Sequence, residues 1–283
     1  MQDKVVNNEE IKRTIASFPR WHYQFNLRGN LTLSPLIDKD RILRHKERKR
    51  YFFDPLVQLF GGSLIGKRVL DLGCNAGFWS LCAVQSGCAF VLGIDGRQMH
   101  IDQANFVFEV NQVEESKYNF IEGDIFDLDL QQFGGFDVVL CLGLMYHISK
   151  HANLLESIDY VNSDILVIDT DLHRLPGSYL QLRHEPLSNP RNAVDHELVM
   201  APTRQAVSDL VQEFGYSVVT LKPRFQTYIG SRDYQLRARR AFLCAKQTDL
   251  TQLPAKEVEP TGLSTQLMDT SALILHRLAR YIG

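Results

Sequence analysis

Seven short runs that are apolar on both faces lie between residues 68 and 245, most of them separated by stretches with helical periodicity. A strand can bury both faces only if other layers cover it on both sides, so this alternation calls for a mostly parallel α/β sheet wrapped in helices. The runs predict strands at Arg68–Gly73, Phe90–Asp95, Asn119–Ile125, Asp137–Leu144, Asp164–Asp171, Ser217–Lys222 and Arg240–Ala245. One intervening helix can be read in detail. Thr203 is its expected N-cap, Ala206, Val207, Leu210, Val211 and Phe214 form its apolar stripe, and Gly215 is its stop. With 283 residues, 45% of them hydrophobic and 23% charged, the chain can build the core of one elaborated domain. The same composition excludes global disorder and fibrous architectures.

A net charge of −2 excludes a strongly basic protein that coats nucleic acid. The five cysteines, Cys74, Cys82, Cys88, Cys141 and Cys244, are odd in number and sit mostly in apolar runs. They read as buried thiols of a reducing compartment, and with no CxxC pair zinc has no sequence support. The N-terminus lacks the apolar core of a signal peptide, and no run approaches the roughly 20 apolar residues of a membrane span. A cytoplasmic protein without membrane contact is the expectation. Three regions frame the repeat: a cap over residues 1–66, the repeat domain over 67–247 with a lid-like insert at 172–202, and a linker with a C-terminal amphipathic helix over 248–283. In that helix Leu267, Met268, Ile274, Leu275, Leu278 and Ile282 share one face, which predicts docking on the domain or a homodimer. The basic run Arg44-His45-Lys46-Glu47-Arg48-Lys49-Arg50 reads as a solvated helix face rather than a grip on RNA phosphates.

The segment Val69-Leu70-Asp71-Leu72-Gly73-Cys74-Asn75-Ala76-Gly77-Phe78-Trp79-Ser80 is a buried strand, a glycine turn and a helix start. Glycines belong there because the backbone turns sharply and a ligand must come close to it. The spacing does not fit GxGxxG, which disfavours a nicotinamide cofactor, and nothing matches GxxxxGK[ST]. Asp95 ends the second run, 18 residues after Gly77, where an acid can accept from both ribose hydroxyls. Asp124 ends the third run, where it can accept from an exocyclic amine while Ile125 packs on the base. Together these markers point to a nucleoside-binding α/β domain.

On these residues the chain resembles class I S-adenosylmethionine-dependent methyltransferases. Asp71 to Gly77 matches their first motif, Asp95 their ribose acid, and Asp124-Ile125 their adenine site. A narrower likeness, to the wobble-uridine tRNA methyltransferases and related small-molecule enzymes, rests on Leu70 to Ser80, on Gly143-Leu144-Met145-Tyr146-His147-Ile148 and on Trp21-His22-Tyr23. The resemblance implies a Rossmann-like seven-stranded sheet with its last strand antiparallel, an N-terminal helical cap, an insert after the fifth strand and a C-terminal helix. It implies cofactor contacts from Asp71, Gly73, Cys74, Asn75, Gly77, Phe78, Asp95, Gly96, Asp124, Ile125 and Leu142. S-adenosylhomocysteine would be the product.

Methyl transfer is an in-line displacement, so alignment, desolvation and often a base are what the protein contributes. His147 and Tyr146 stand just past the fourth run, on the expected substrate side. An imidazole there can take a proton from an attacking hydroxyl, or it can be a structural residue at a helix entry. Trp21, His22 and Tyr23 of the cap and Arg183, Glu185 and His196 of the insert are the candidate substrate contacts. A metal held by His196 and Glu197 with Asp169 or Asp171 is the minor alternative. The expected activity is methyl transfer to an oxygen or nitrogen of a small molecule. The alternatives are a wobble-uridine oxygen of tRNA and a non-catalytic, cofactor-binding partner subunit.

Overall fold

The computed structural model describes residues 7–188, 192–194, 196–253 and 256–257. Its centre is a seven-stranded sheet of β1 (Arg68–Leu72), β2 (Phe90–Asp95), β3 (Tyr118–Glu122), β4 (Phe136–Leu142), β5 (Asn162–Asp171), β6 (Ser217–Thr220) and β7 (Arg239–Ala245). Across the sheet the order is β6-β7-β5-β4-β1-β2-β3. Only β7 runs antiparallel to its neighbours, β5 and β6. The other adjacent pairs are parallel. Chain order reverses between β1 and β4, which opens a crevice at the carboxyl ends of these strands.

Alternate residues of each strand enter opposite layers, as a pleated strand covered on both faces requires. Val69, Val91, Val138 and Val167 join one apolar layer, and Leu70, Leu92, Val139 and Leu166 join the other. The first layer continues into the N-terminal region, where Tyr23, Phe52 and Phe53 pack against Trp79 and Trp21 and Phe25 pack on each other. That region carries α1 (Asn8–Ser17), α2 (Lys39–Arg48) and α3 (Asp54–Leu59), the last two joined by a wider turn over Lys49–Phe53. Around the sheet lie α4 (Phe78–Gln85), α5 (Gln98–Val110), α6 (His151–Val161) and α7 (Arg204–Glu213). Thr203 caps α7 by accepting from Ala206 N–H at 3.2 Å, as its position in the sequence predicts.

Three expectations change. The basic run is not a solvated face: His45, Glu47 and Arg48 are buried, because α2 turns that side toward the sheet. The insert carries two paired antiparallel strands, Leu180–His184 and Leu198–Pro202, so it is more than a polar loop. The first part of the expected linker is docked. Leu250 and Leu253 are buried, Glu257 N–H donates to Thr220 O at 2.9 Å, and the Glu257 carboxylate pairs with Arg240. The C-terminal helix and the dimer expected through it lie outside the described residues.

Candidate active site

The turn after β1 is fixed from below. Gly73 and Cys74 N–H both donate to Ile94 O, at 2.8 and 2.9 Å, which ties the loop to the end of β2. Gly73 has φ +69° and borders the cavity, so a side chain there would strain the backbone. Gly77, with φ +74°, serves packing instead. A Cβ at that position would meet Ala104, Phe120 and Phe108 at 3.2–3.3 Å. Asp71 is buried under the loop and accepts from Ser80 Oγ at 2.6 Å. Burial pushes its carboxyl up to about 7, against the hydrogen bonds from Ser80. Asp71 therefore braces the turn against α4. Cys74 is buried against Gly93, and Phe78 stacks on Tyr23 with ring centroids 4.7 Å apart. Asp71, Cys74, Gly77 and Phe78 shape the loop and do not line the cavity.

That cavity, of about 680 Å³, lies at the carboxyl ends of β1, β2, β3 and β4. Its volume is within the roughly 300–1,000 Å³ of small-molecule sites. Gly73, Asn75, Asp95, Gly96, Asp124, Ile125 and Leu142 line it. Asp95 Oδ1 accepts from Arg97 N–H at 3.1 Å and faces His100 Nδ1 at 2.9 Å, while Oδ2 accepts from Asn75 N–H at 2.9 Å. A carboxylate offers about four acceptor positions. Asp95 thus keeps an open acceptor position on Oδ2 for a ribose hydroxyl. Asp124 Oδ1 accepts from Phe126 N–H at 2.9 Å, and Ile125 is buried beside it. An acid at the ribose position, an acid with an apolar residue at the base position and a glycine turn beside them, after β1, fit S-adenosylmethionine. Asp95→Asn should weaken S-adenosylhomocysteine binding by about 2 kcal/mol, roughly 30-fold. Calorimetry showing wild-type affinity in the folded variant would remove Asp95 from the ligand.

The other half of the cavity is built by the cap, the insert and the turn after β4. Trp21, His22 and Tyr23 line it, held there by Arg41, which donates to Trp21 O at 2.9 Å, and by Gln103, which donates to Arg20 O at 2.7 Å. His147 lines it too, with Nδ1 2.6 Å from Glu185 Oε2, and Glu185 also accepts from Ala193 N–H at 3.1 Å. Burial pushes the Glu185 carboxyl up, but the hydrogen bond and charge of His147, the Ala193 N–H and Arg183 together hold it below its ordinary value. An ionised carboxylate only accepts, so the proton on His147 belongs on Nδ1 and Nε2 is left as the acceptor. Burial pushes the Tyr146 hydroxyl up despite nearby Arg239, which favours its protonated form. Asn192, Ala193, Val194 and His196 of the insert complete the wall, and Arg97 Nη2 latches it by donating to Asn192 O at 2.9 Å. Arg183 does not line the cavity; its Nε donates to Gln181 Oε1.

The sequence reading missed the buried network behind this wall. Asp169, wholly buried in β5, accepts from Arg48 Nη2 at 2.7 Å, Arg239 Nε at 3.0 Å and Tyr234 Oη at 2.7 Å. Burial pushes its carboxyl up, but Arg239 and Arg48 hold it below the ordinary range. Arg239 also reaches Asp171 at 2.7 Å. These bonds commit both carboxylates to arginine, not to a metal with His196 and Glu197. One signal was available: a carboxylate in the middle of Ile165-Leu166-Val167-Ile168-Asp169 must find a cation somewhere in the chain.

The strand order and the strand-end acids define a class I S-adenosylmethionine-dependent methyltransferase domain. A family model described as a methyltransferase domain matches residues 65–211, and the chain belongs to that family. Among relatives, the ubiquinone biosynthesis O-methyltransferase of Neisseria meningitidis serogroup C is 33% identical over 120 residues, 42% of this chain and 50% of that protein. The enzyme of the same description from Acinetobacter baylyi is 32% identical over 120 residues, 42% of this chain and 49% of that protein. The matched stretch thus spans about half the length of these relatives. Among solved structures, the N-terminal domain of EvdMO1 with S-adenosylhomocysteine and D-fucose has a TM-score of 0.62 at 21% identity. That match covers 86% of this chain and 97% of that one. Magnesium protoporphyrin IX methyltransferase from Synechocystis PCC 6803 with bound S-adenosylhomocysteine has a TM-score of 0.53 at 16% identity, covering 84% of this chain and 100% of that one. At these identities the structures share the fold.

Proposed function

We propose that this chain transfers a methyl group from S-adenosylmethionine to a hydroxyl oxygen of a small molecule. The observation that carries the reading is the His147–Glu185 pair, 2.6 Å apart, on the wall of the cavity whose other side holds Asp95 and Asp124. When bound, the cofactor supplies an electrophilic methyl carbon on a sulfonium. Asp95, Asp124 and Ile125 would fix its nucleoside, and Gly73 would let it lie against the turn. Glu185 holds the His147 ring with Nε2 as the acceptor, so His147 can take the proton from the attacking hydroxyl. Trp21 and Tyr23 exclude water around the reacting atoms. Oxygen rather than nitrogen is supported by the likeness to the ubiquinone O-methyltransferases. We infer a cytoplasmic setting from the five cysteines, all buried and unpaired. Among the described residues, no helix is long and apolar enough to cross a membrane.

A wobble uridine of tRNA is the second acceptor, because Gly143, Leu144, Tyr146, His147 and Ile148 of that likeness all border the cavity. The basic run lends it little, since Arg44 is paired with Asp233 and Arg48 with Asp169. The test is transfer from methyl-labelled cofactor to a panel of catechols and other hydroxylated acceptors, with bulk tRNA as a parallel arm. Label is expected in a small molecule. Label in tRNA alone would replace that acceptor, and tight S-adenosylhomocysteine binding with no transfer to either would make the chain a non-catalytic partner subunit.

A further inference from the structure

We propose that Arg48 and Arg239 form an anion-binding subsite for the acceptor, which would make the substrate a hydroxylated organic acid. The inference rests on the reading of the cavity as an acceptor site and narrows the substrate class. Both arginines line the cavity, with side chains 4% and 5% exposed. The carboxylate they share, Asp169, is wholly buried, whereas Asp171 beside Arg239 is 36% exposed and partly screened by water. The dry part of the network therefore holds two cations and one anion. An unbalanced charge in a low-dielectric wall is costly, and a ligand anion bound against it offsets that cost.

The donors point the same way. Each guanidinium carries five N–H groups. Arg48 commits three to Asp169 and His45 and also hydrogen-bonds the Tyr23 hydroxyl, and Arg239 commits three to Asp169 and Asp171 and also hydrogen-bonds the Tyr146 hydroxyl. That leaves each guanidinium one N–H, on a side chain that lines the cavity. Asp169 and the rings of Trp79 and Tyr234 hold the forks in place, and a pre-ordered fork suits a carboxylate better than a lysine would. Position then separates this end from the nucleoside end. Asp95 and Asp124 follow β2 and β3, on one side of β1, while Arg239 lies on β7, on the other side. Its Cζ is 5.2 Å from the Tyr146 ring, whose centroid is 4.0 Å from that of His147. Tyr146 thus touches both Arg239 and His147, so an acceptor about the size of one aromatic ring can reach from the arginine to the base.

The test uses 4-hydroxybenzoate and its uncharged counterpart 4-hydroxybenzamide on protein saturated with S-adenosylhomocysteine, read by melting temperature. The benzoate should raise Tm by about 2 °C or more at millimolar concentration and the amide should not. Arg239→Gln should abolish the benzoate shift, with Arg48→Gln as a second variant if the first folds poorly. Equal shifts from the two probes in the wild type, or a benzoate shift that survives in Arg239→Gln, would overturn the proposal. A calorimetric arm separates the cofactor's own carboxylate from that of the acceptor. Arg239→Gln should bind S-adenosylhomocysteine within about threefold of wild type, and a loss of tenfold or more would assign the arginines to the cofactor and sink the acceptor subsite. Because both arms read binding without turnover, a failure of methyl transfer and a failure of anion binding remain distinguishable.

Discussion

Asp169→Ala should lower the stability of the folded chain by about 3–5 kcal/mol, the scale for removing one partner from a buried ion pair. In a chain of this size that corresponds to a fall in melting temperature of roughly 10 °C. The cause is local. Arg48 and Arg239 lose the carboxylate between them, and Tyr234 Oη loses its acceptor. Asp169→Asn should cost less, because an amide oxygen still accepts. The pH dependence follows from the direction of the shift. The folded state holds the Asp169 carboxyl below its ordinary value, so its contribution is present above about pH 4 and is lost as pH falls through the folded value. Wild type and Asp169→Ala should therefore converge in stability on acidification. Melting curves at pH 7 and pH 3 check both points, and a variant within about 1 kcal/mol of wild type at pH 7 would mean that Asp171 and water balance the arginines unaided.

This network also marks where the sequence stopped being legible. The sheet could be read because its runs are apolar on both faces, a local property: the seven predicted strands are the seven strands of the sheet, displaced by at most a few residues. The third strand ends at Glu122, short of Asp124, because Gly123 N–H turns back to Asp95 O at 3.1 Å and begins the adenine-side turn. The strand-end positions of Asp95 and Asp124 could be read for the same reason, since strand, turn and helix follow one another within a few residues. Pairings between distant segments left no such trace. Arg48 and Asp169 are 121 residues apart, and in the sequence Arg48 is one more cation in a run of basic residues. A helix face that carries Arg44, Arg48 and Glu47 resembles a solvated one until its partners Asp233, Asp169 and the Gln226 N–H are known.

The glycine turn teaches a related lesson. Its motif identifies the class but assigns ligand contact too broadly, because a motif preserves everything the turn needs. Asp71 is needed to brace α4 through Ser80, and Gly77 to admit Ala104 and Phe120. Gly73 and Asn75 are the positions of the motif left facing the cavity. Sequence spacing cannot separate the two kinds of requirement, since both fall on the same seven residues, whereas burial and side-chain partners do.

His147→Ala should lower kcat by about 10²–10⁴-fold with little change in S-adenosylhomocysteine affinity, because a general base acts in the transition state and the nucleoside markers lie elsewhere. Its effect on melting temperature should be small, since the ring is part of the cavity wall and its side chain bonds to the part-buried Glu185. Glu185→Gln asks a sharper question. A glutamate can only accept, which keeps the His147 proton on Nδ1; a glutamine can present its amide N–H instead, which would turn Nδ1 into the acceptor and leave the proton on Nε2, facing the acceptor hydroxyl. Rate should therefore fall in Glu185→Gln although the His147 ring is intact; since the Oε2 that faces His147 also accepts from Ala193 N–H, the same flip costs that bond to the insert and some melting temperature with it. A mainly structural pair would give the opposite record, with lower melting temperatures in both variants and near-normal turnover of the folded fraction. Measuring both quantities on both proteins separates the cases. If His147→Ala melts normally and turns over within about fivefold of wild type, the base leaves the mechanism, and alignment and desolvation by Trp21, Tyr23 and the arginine wall become what the protein contributes to the reaction.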